Sequence, residues 1–250
     1  MNSKSARTRL DLLLVERGLA ESQQKAQAMV LAGEVRVKNV VAEKAGMPVV
    51  HDAQLDVKSR HLKFASRGGL KLEGALEDFA INPAGLVCLD VGASTGGFTD
   101  CLLQQNAAKI YAVDVNTAQL AWKLQQDPRV IAIQRNAREL RASDIPAPAD
   151  LVVADVSFIS VSKVLAPAAA CAKPGADFLI LIKPQFELRR EDIGRGGIVS
   201  DPSLHEKAIA SVRKGAETAG LAILNVRPSR LTGAEGNQEF FLHARKPLLK

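Results

Sequence analysis

Four charged residues in this 250-residue chain each sit inside a distinctive short run: Lys71 in Ser66-Arg67-Gly68-Gly69-Leu70-Lys71-Leu72, Asp155 in Asp155-Val156-Ser157-Phe158, Lys183 in Lys183-Pro184-Gln185-Phe186-Glu187, and Glu239 in Asn237-Gln238-Glu239-Phe240. Lys183 closes the strongly apolar stretch from Phe178 to Ile182. Partial burial there, beside another lysine, favours the neutral amine, and a neutral amine is a base. A free lysine near ~10.4 is neutral in only about one molecule in a few thousand at pH 7, so a working base needs a value near ~7 to 8. Two lysines and two carboxylates also make two independent ion pairs, and residue types alone leave both readings open.

A second run carries chemistry of another kind. Asp90-Val91-Gly92-Ala93-Ser94-Thr95-Gly96-Gly97-Phe98-Thr99-Asp100 follows the apolar segment Leu86 to Leu89 and opens a helix. Glycines at such a turn bring the main chain close to a ligand while the helix start presents unpaired N–H groups. Ser94 stands where the dinucleotide G-x-G-x-x-G fingerprint has its second glycine, which weakens an NAD-type reading. Asp114, about 20 residues beyond the glycine turn, ends the next strand, where a carboxylate accepts both hydroxyls of a ribose. Asn136-Ala137-Arg138 follows the third strand and is a candidate to meet an adenine or simply to form an Asx turn.

The elements that must position these residues alternate. Leu86–Leu89, Ile110–Val115, Val130–Gln134, Leu151–Val156, Phe178–Lys183, Leu221–Val226 and Phe240–Ala244 read as strands. Gly97–Gln105, Ala118–Gln126, Val161–Ala172 and Pro202–Ala219 read as helices between them. This α/β order requires right-handed crossovers and a mostly parallel, Rossmann-like sheet covered on both faces. Asp90, Asp114 and Asp155 then fall at the strand C-termini, where such sheets hold their ligands.

Composition excludes several classes. With 47% hydrophobic and 24% charged residues the chain buries a full core. No run approaches the ~20 apolar residues of a membrane helix. The segment Leu10 to Ala20 is interrupted by Asp11, Glu16 and Arg17, unlike a signal peptide, so a cytoplasmic location is expected. Cys88, Cys101 and Cys171 lie in apolar surroundings without metal-ligand spacing and are expected to be buried thiols; no metal is implied.

Charge is uneven. Residues 1 to 71 hold 13 Lys and Arg against 7 Asp and Glu, which accounts for the whole excess of +6. Within them, Leu10, Leu13, Leu14 and Leu19 share a helical face ended by Gly18. Ser22 caps a second helix running to Leu31 with Gly33 as its terminator, and strands around Val35-Arg36-Val37 and Leu55-Asp56-Val57 follow, with a tight turn at Lys38-Asn39. Such a small α+β module with basic residues facing outward suits a polyanion. Its order, Arg9-Leu10-Asp11, Arg17-Gly18-Leu19-Ala20 and Ala32-Gly33-Glu34-Val35-Arg36-Val37, resembles the alpha-L RNA-binding motif. The resemblance implies RNA contacts by Arg7, Arg9, Arg17, Lys25, Arg36 and Lys38, with Arg67 beyond them.

Taken together, the runs around Lys71, Gly92, Asp155, Lys183 and Glu239 are similar, over almost the whole chain, to the TlyA family of rRNA methyltransferases, once called haemolysins. That resemblance implies an alpha-L type RNA-binding domain at 1–58, a linker at 59–65 and an FtsJ-like Rossmann methyltransferase domain at 66–250. It implies S-adenosylmethionine as cofactor, with Asp90, Gly92, Ser94, Thr95, Gly96, Gly97, Phe98, Asp114, Asn136 and Asp155 around it. It also implies a catalytic tetrad of Lys71, Asp155, Lys183 and Glu239 that methylates a ribose 2′-hydroxyl, of cytidine, in ribosomal RNA or ribosomal subunits. Lys183 is then the base, Phe158 and Phe186 are candidates to stack an extruded nucleobase, and the loop from Glu187 to Gly197, with Arg189, Arg190 and Arg195, is a candidate to steer RNA. A non-catalytic RNA-binding or ribosome-assembly protein and a membrane-active haemolysin are the competing classes.

Overall fold

The computed structural model describes residues 7–17, 19–20, 22–51, 53–57, 63–233 and 236–248. The chain divides into two compact units, residues 1–62 and 63–250. Gly18, expected to end the first helix, and residues 59–62 of the expected linker lie outside the described residues.

The small unit is built on two helices, α1 (Leu10–Glu16) and α2 (Gln23–Leu31), and five short strands: β1 (Arg7–Arg9), β2 (Val35–Val37), β3 (Val40–Val41), β4 (Pro48–Val50) and β5 (Leu55–Val57). Ser22 caps α2 by accepting from the Lys25 amide, and Gly33, at φ +70°, closes it. Lys38 and Asn39 both have positive φ, the conformation of a two-residue hairpin turn whose twist matches its strands, and they join β2 to β3. Leu10, Leu13, Leu14, Ala26, Val30 and Val35 form the core. Beneath them Asp11, fully buried, accepts from Arg9, Gln23 and Gln27, and the Arg9 guanidinium holds its carboxyl well below the usual range. β1 and β4, which were not expected, pair with each other antiparallel.

In the large unit, α3 (Arg67–Asp78) precedes a seven-stranded sheet made by β6 (Val87–Val91), β7 (Lys109–Asp114), β8 (Val130–Gln134), β9 (Ala149–Ala154), β10 (Ala172–Ile182), β11 (Ala222–Pro228) and β12 (Phe240–Arg245). The order across the sheet is β11-β12-β10-β9-β6-β7-β8, with β12 antiparallel to both neighbours and the other pairs parallel. Connections leave β6 toward β7 on one side while β9 lies on its other side, so the strand order reverses between β6 and β9 and opens a crevice at their C-terminal ends. Near-continuous apolar runs such as Phe178 to Ile182 are buried because helices cover both faces: α4 (Gly97–Gln104), α5 (Trp122–Gln125), α6 (Ser162–Ala170), α7 (Pro184–Glu187) and α8 (Pro202–Thr218). The expected helix 118–126 is instead a 3₁₀ turn at Thr117–Gln119 followed by the four-residue α5. The three cysteines are buried free thiols, and burial pushes Cys88 up to about 12 and Cys171 up to about 11.

Candidate active site

Strand ends and the loops after them build the site. β6 runs into the glycine loop, where Gly92 has φ +89° and an added Cβ would lie 2.3 Å from the carbonyl oxygen of Asp155. The Asp155 amide in turn donates to the Val91 carbonyl at 3.0 Å. Glycine at position 92 is thus what lets the ends of β6 and β9 close on each other and fixes where Asp155 emerges. Gly96, at φ +93°, starts α4.

Two adjoining cavities open there. The first, about 350 Å³, is lined by Val113, Val115, Ala137, Val156, Phe158 and Ile159 together with Asp114 and Asn136. The second, about 220 Å³, is lined by Ser66, Lys71, Thr95, Gly97, Phe98 and Lys183 among others. Gly92, Ser94, Asp155 and Ser157 line both.

Three of the four charged residues, Lys71, Asp155 and Lys183, line the second cavity, and the fourth, Glu239, is buried against Lys71. Lys183 Nζ stands 2.5 Å from Asp155 Oδ1 and donates to Ser157 Oγ at 2.9 Å. Lys71 Nζ donates to Glu239 Oε2 at 2.5 Å, with the Glu239 side chain only 2% exposed. Burial pushes the Glu239 carboxyl up; the hydrogen bond and charge of Lys71 pull it down, Lys183 adds to that pull, and Asp155 opposes it. These are two ion pairs, as the residue types allowed, and both lysines and Asp155 line one cavity. Lys183 pairs with the Asp155 carboxylate and lines the same cavity as Lys71.

Each residue is held by its element. Lys71 lies on α3, which the sequence did not suggest, and Ser66 caps that helix through the Gly68 amide. Arg230 grips the end of α3 through Glu77 and Asp78. Lys183 directly follows β10, and Pro184 starts α7 immediately after it. Glu187 at the end of α7 accepts from Ser160 Oγ at 2.5 Å and from the Val161 amide at 2.8 Å, and Phe186 packs on Phe158 with ring centres 5.4 Å apart. Asn237, 1% exposed, fastens the segment before Glu239 to Gly197 and Val199.

The remaining sequence-derived residues divide. Ser94, Thr95, Gly97, Phe98, Asp114 and Asn136 face the cavities. Asp114 already accepts from the Ser94 and Asn116 amides and from Gln119, which occupies three of the roughly four acceptor positions of a carboxylate. Asp90 lines neither cavity: it lies sealed beneath the loop, bonded to Thr99 Oγ1 at 2.6 Å, its other oxygen without a partner among the described residues. Gly96 packs against Leu120 and Leu124. In the small unit Arg7, Lys25 and Lys38 are exposed, whereas Arg9 is spent on Asp11 and Arg17 on the carbonyls of His51 and Ala53. Arg36 is half-buried, and Arg67 at the start of α3 is exposed.

Residues 64–246 match the model of the FtsJ-like methyltransferases and residues 8–55 that of the S4 domain. The 16S/23S rRNA (cytidine-2′-O)-methyltransferase TlyA of Mycobacterium tuberculosis is 46% identical over 241 residues, 96% of this chain and 90% of that protein. The chain belongs to the TlyA family of FtsJ-like methyltransferases. A chain of Streptococcus thermophilus that carries the haemolysin name has a solved structure, 39% identical with a TM-score of 0.75, covering 97% of this chain and 90% of that one. An S-adenosylmethionine-dependent methyltransferase of Mesorhizobium loti, 16% identical with a TM-score of 0.54, covers 72% of this chain and all of that one, and shares the fold of the large unit. TlyA membership accounts for both units: an S4 domain first and a methyltransferase sheet after it. Among the described residues no helix is long and apolar enough to cross a membrane.

Ser157, Ser66 and Glu187 are the site residues that sequence reasoning passed over. Ser157 and Glu187 stood inside the runs already singled out, and Ser66 carried the signal of a helix cap before Arg67.

Proposed function

We propose that this protein transfers a methyl group from S-adenosylmethionine to a ribose 2′-hydroxyl, of cytidine, in ribosomal RNA. One observation carries the reading: Lys71, Lys183 and Asp155, drawn from separate segments, line the polar cavity beside the glycine loop, and Glu239, from a fourth, holds Lys71 there. The cytidine and the ribosomal RNA rest on the name of the mycobacterial relative. A cytoplasmic location follows from such a substrate.

The adjoining cavities fit the two-ended cofactor. The apolar walls of the first suit a purine, with Asn136 at its edge and Asp114 for the ribose, where the hydroxyls would replace Gln119 on the carboxylate. The second offers the loop from Gly92 to Gly97, Thr95, Ser66 and Asp155 to an amino-acid end. Asp90 supports the loop from beneath. When bound, S-adenosylmethionine supplies a methyl group already activated by the charge on its sulfur. Lys183, as the neutral amine, removes the 2′-hydroxyl proton, and Asp155 steadies the ammonium that results. Lys71, fixed by Glu239, presents a cation to the same cavity and orients the ribose oxygen. Phe158, 89% exposed at the rim, is placed to stack the target base. Arg7, Lys25 and Lys38 of the S4 unit, with Arg67 and Arg189, hold phosphates.

Lys183→Ala should keep cofactor and RNA affinity and lose transfer. Lys183→Arg should not restore it, because guanidinium stays protonated. An RNA with deoxyribose at the target position should bind and accept no methyl group; methyl transfer to it would place the reaction on the base and refute the reading.

A further inference from the structure

We propose that Ser157 is a catalytic residue that carries the 2′-hydroxyl proton to Lys183, an inference that rests on Lys183 being the base. Ser157 is one of four residues that line both cavities, and its hydroxyl is bonded to Lys183 Nζ at 2.9 Å. The Lys183 side chain is 12% exposed and has Asp155 at 2.5 Å, whereas Ser157 is exposed. The hydroxyl is therefore the more accessible end of the pair to an incoming ribose.

Hydroxyl chemistry suits the task. An ammonium donates three hydrogen bonds and accepts none, while a hydroxyl does both. With Lys183 protonated, Nζ donates to Ser157 Oγ, as the structure has it. With Lys183 neutral, the bond reverses, and Ser157 donates to the amine lone pair while its own oxygen accepts from the ribose. In the transfer step O2′ bonds to the methyl carbon as the carbon–sulfur bond breaks, and that electron pair stays on sulfur. The O2′ proton passes to Ser157 Oγ, the Ser157 proton passes to Lys183 Nζ, and serine is unchanged at the end.

The loop is built to hold this hydroxyl still. Phe158, next to Ser157, has φ +67°, a left-handed conformation that is strained for a residue with a Cβ. It is kept there from α7, which begins directly after Lys183: Phe186 packs on Phe158, and Glu187 takes the Ser160 hydroxyl and the Val161 amide. Amine and hydroxyl are thus tied together by their own bond and again by the packing between their loops.

The test uses the full chain and ribosomal RNA from cells lacking the protein, with single-turnover transfer measured in mixtures of light and heavy water. Ser157→Ala should slow transfer by about 10²-fold, the low end for acid–base groups, with cofactor affinity by calorimetry unchanged; Ser157→Thr should recover most of the rate. Wild type should give a curved dependence on the deuterium fraction, two protons being in flight, and Ser157→Ala a linear one. Transfer by Ser157→Ala at the wild-type rate, or a linear dependence in wild type, would overturn the relay while leaving Lys183 as base. Absence of any 2′-O-methylated product from wild type would instead strike the underlying reading.

Discussion

Replacing Asp90 by asparagine should make the protein less stable in mild acid and more stable above neutrality. Asp90 is fully buried under the glycine loop, and burial pushes its carboxyl from the ordinary 3.8 up to about 7, against the pull of the Thr99 hydrogen bond and with a further push from Asp155. Between those two values the folded chain holds a proton that the unfolded chain has released. Fewer protons bound in the unfolded state means that stability falls as pH rises, complete below 3.8 and gone above about 7. At ~1.36 kcal/mol per decade the whole effect is roughly 4 kcal/mol, of which roughly 3 kcal/mol falls between pH 5 and 8. Asparagine keeps the Thr99 bond through its oxygen and is neutral throughout, but its amide N–H groups fill the place of the unpartnered oxygen at a cost of about 1–3 kcal/mol. The difference between wild type and Asp90→Asn should therefore shrink and change sign as pH rises. Guanidinium unfolding followed by circular dichroism at several pH values measures it, and taking the difference cancels the other titrating groups. A difference equal at pH 5 and pH 8 to within ~0.5 kcal/mol would refute the reasoning.

Gly92→Ala should lose ~2–5 kcal/mol, from ~1–2 for the left-handed backbone and ~1–3 for the clash with the Asp155 carbonyl, and methyl transfer should fall with it; a urea midpoint like wild type would count against the close approach of β6 and β9. Glu187→Ala strands the Ser160 and Val161 donors and should cost about 1–3 kcal/mol together with most of the transfer rate. Glu187→Gln, whose oxygen can take the Val161 amide and whose nitrogen can donate to Ser160, should restore both, and thermal unfolding beside single-turnover rates will show whether it does. Lys25→Ala with Lys38→Ala should weaken RNA binding alike for all sequences and flatten its salt dependence by about 0.7 for each single-strand phosphate that is no longer neutralised, as filter binding at graded salt would report.

The parallel strands were legible because each is a short run of apolar residues that only a sheet covered on both faces can bury, and the acidic residues at their ends marked the crevice. Helix α3 was hidden by Gly68 and Gly69 in its first turn, a pairing that propensity sets against a helix. The cause is tertiary: a Cβ on Gly69 would fall 2.4 Å from the Phe64 ring, and one on Gly97 would fall 2.1 Å from Ser66 Oγ. The quartet was legible as four residue types, but its pairing was not, because Lys71 finds Glu239 across 168 residues of chain. Nor could a count of charges show that Arg9 and Arg17 fold back onto their own unit. Asp90 was marked by its place at a strand end, while its isolation from both cavities depends on Thr99 and the loop folding over it.

The pairing of each lysine with its own carboxylate also bears on what would leave the site under the proposed reaction. Under the proposed reaction the quartet with Lys183 as the free amine sums to one net negative charge, which would attract a donor whose sulfur is positive. When Lys183 has taken its proton the quartet sums to zero at the moment the sulfur becomes neutral. On that reading attraction for the spent cofactor would fall in the same event that forms the product, which would favour its exchange for a fresh donor.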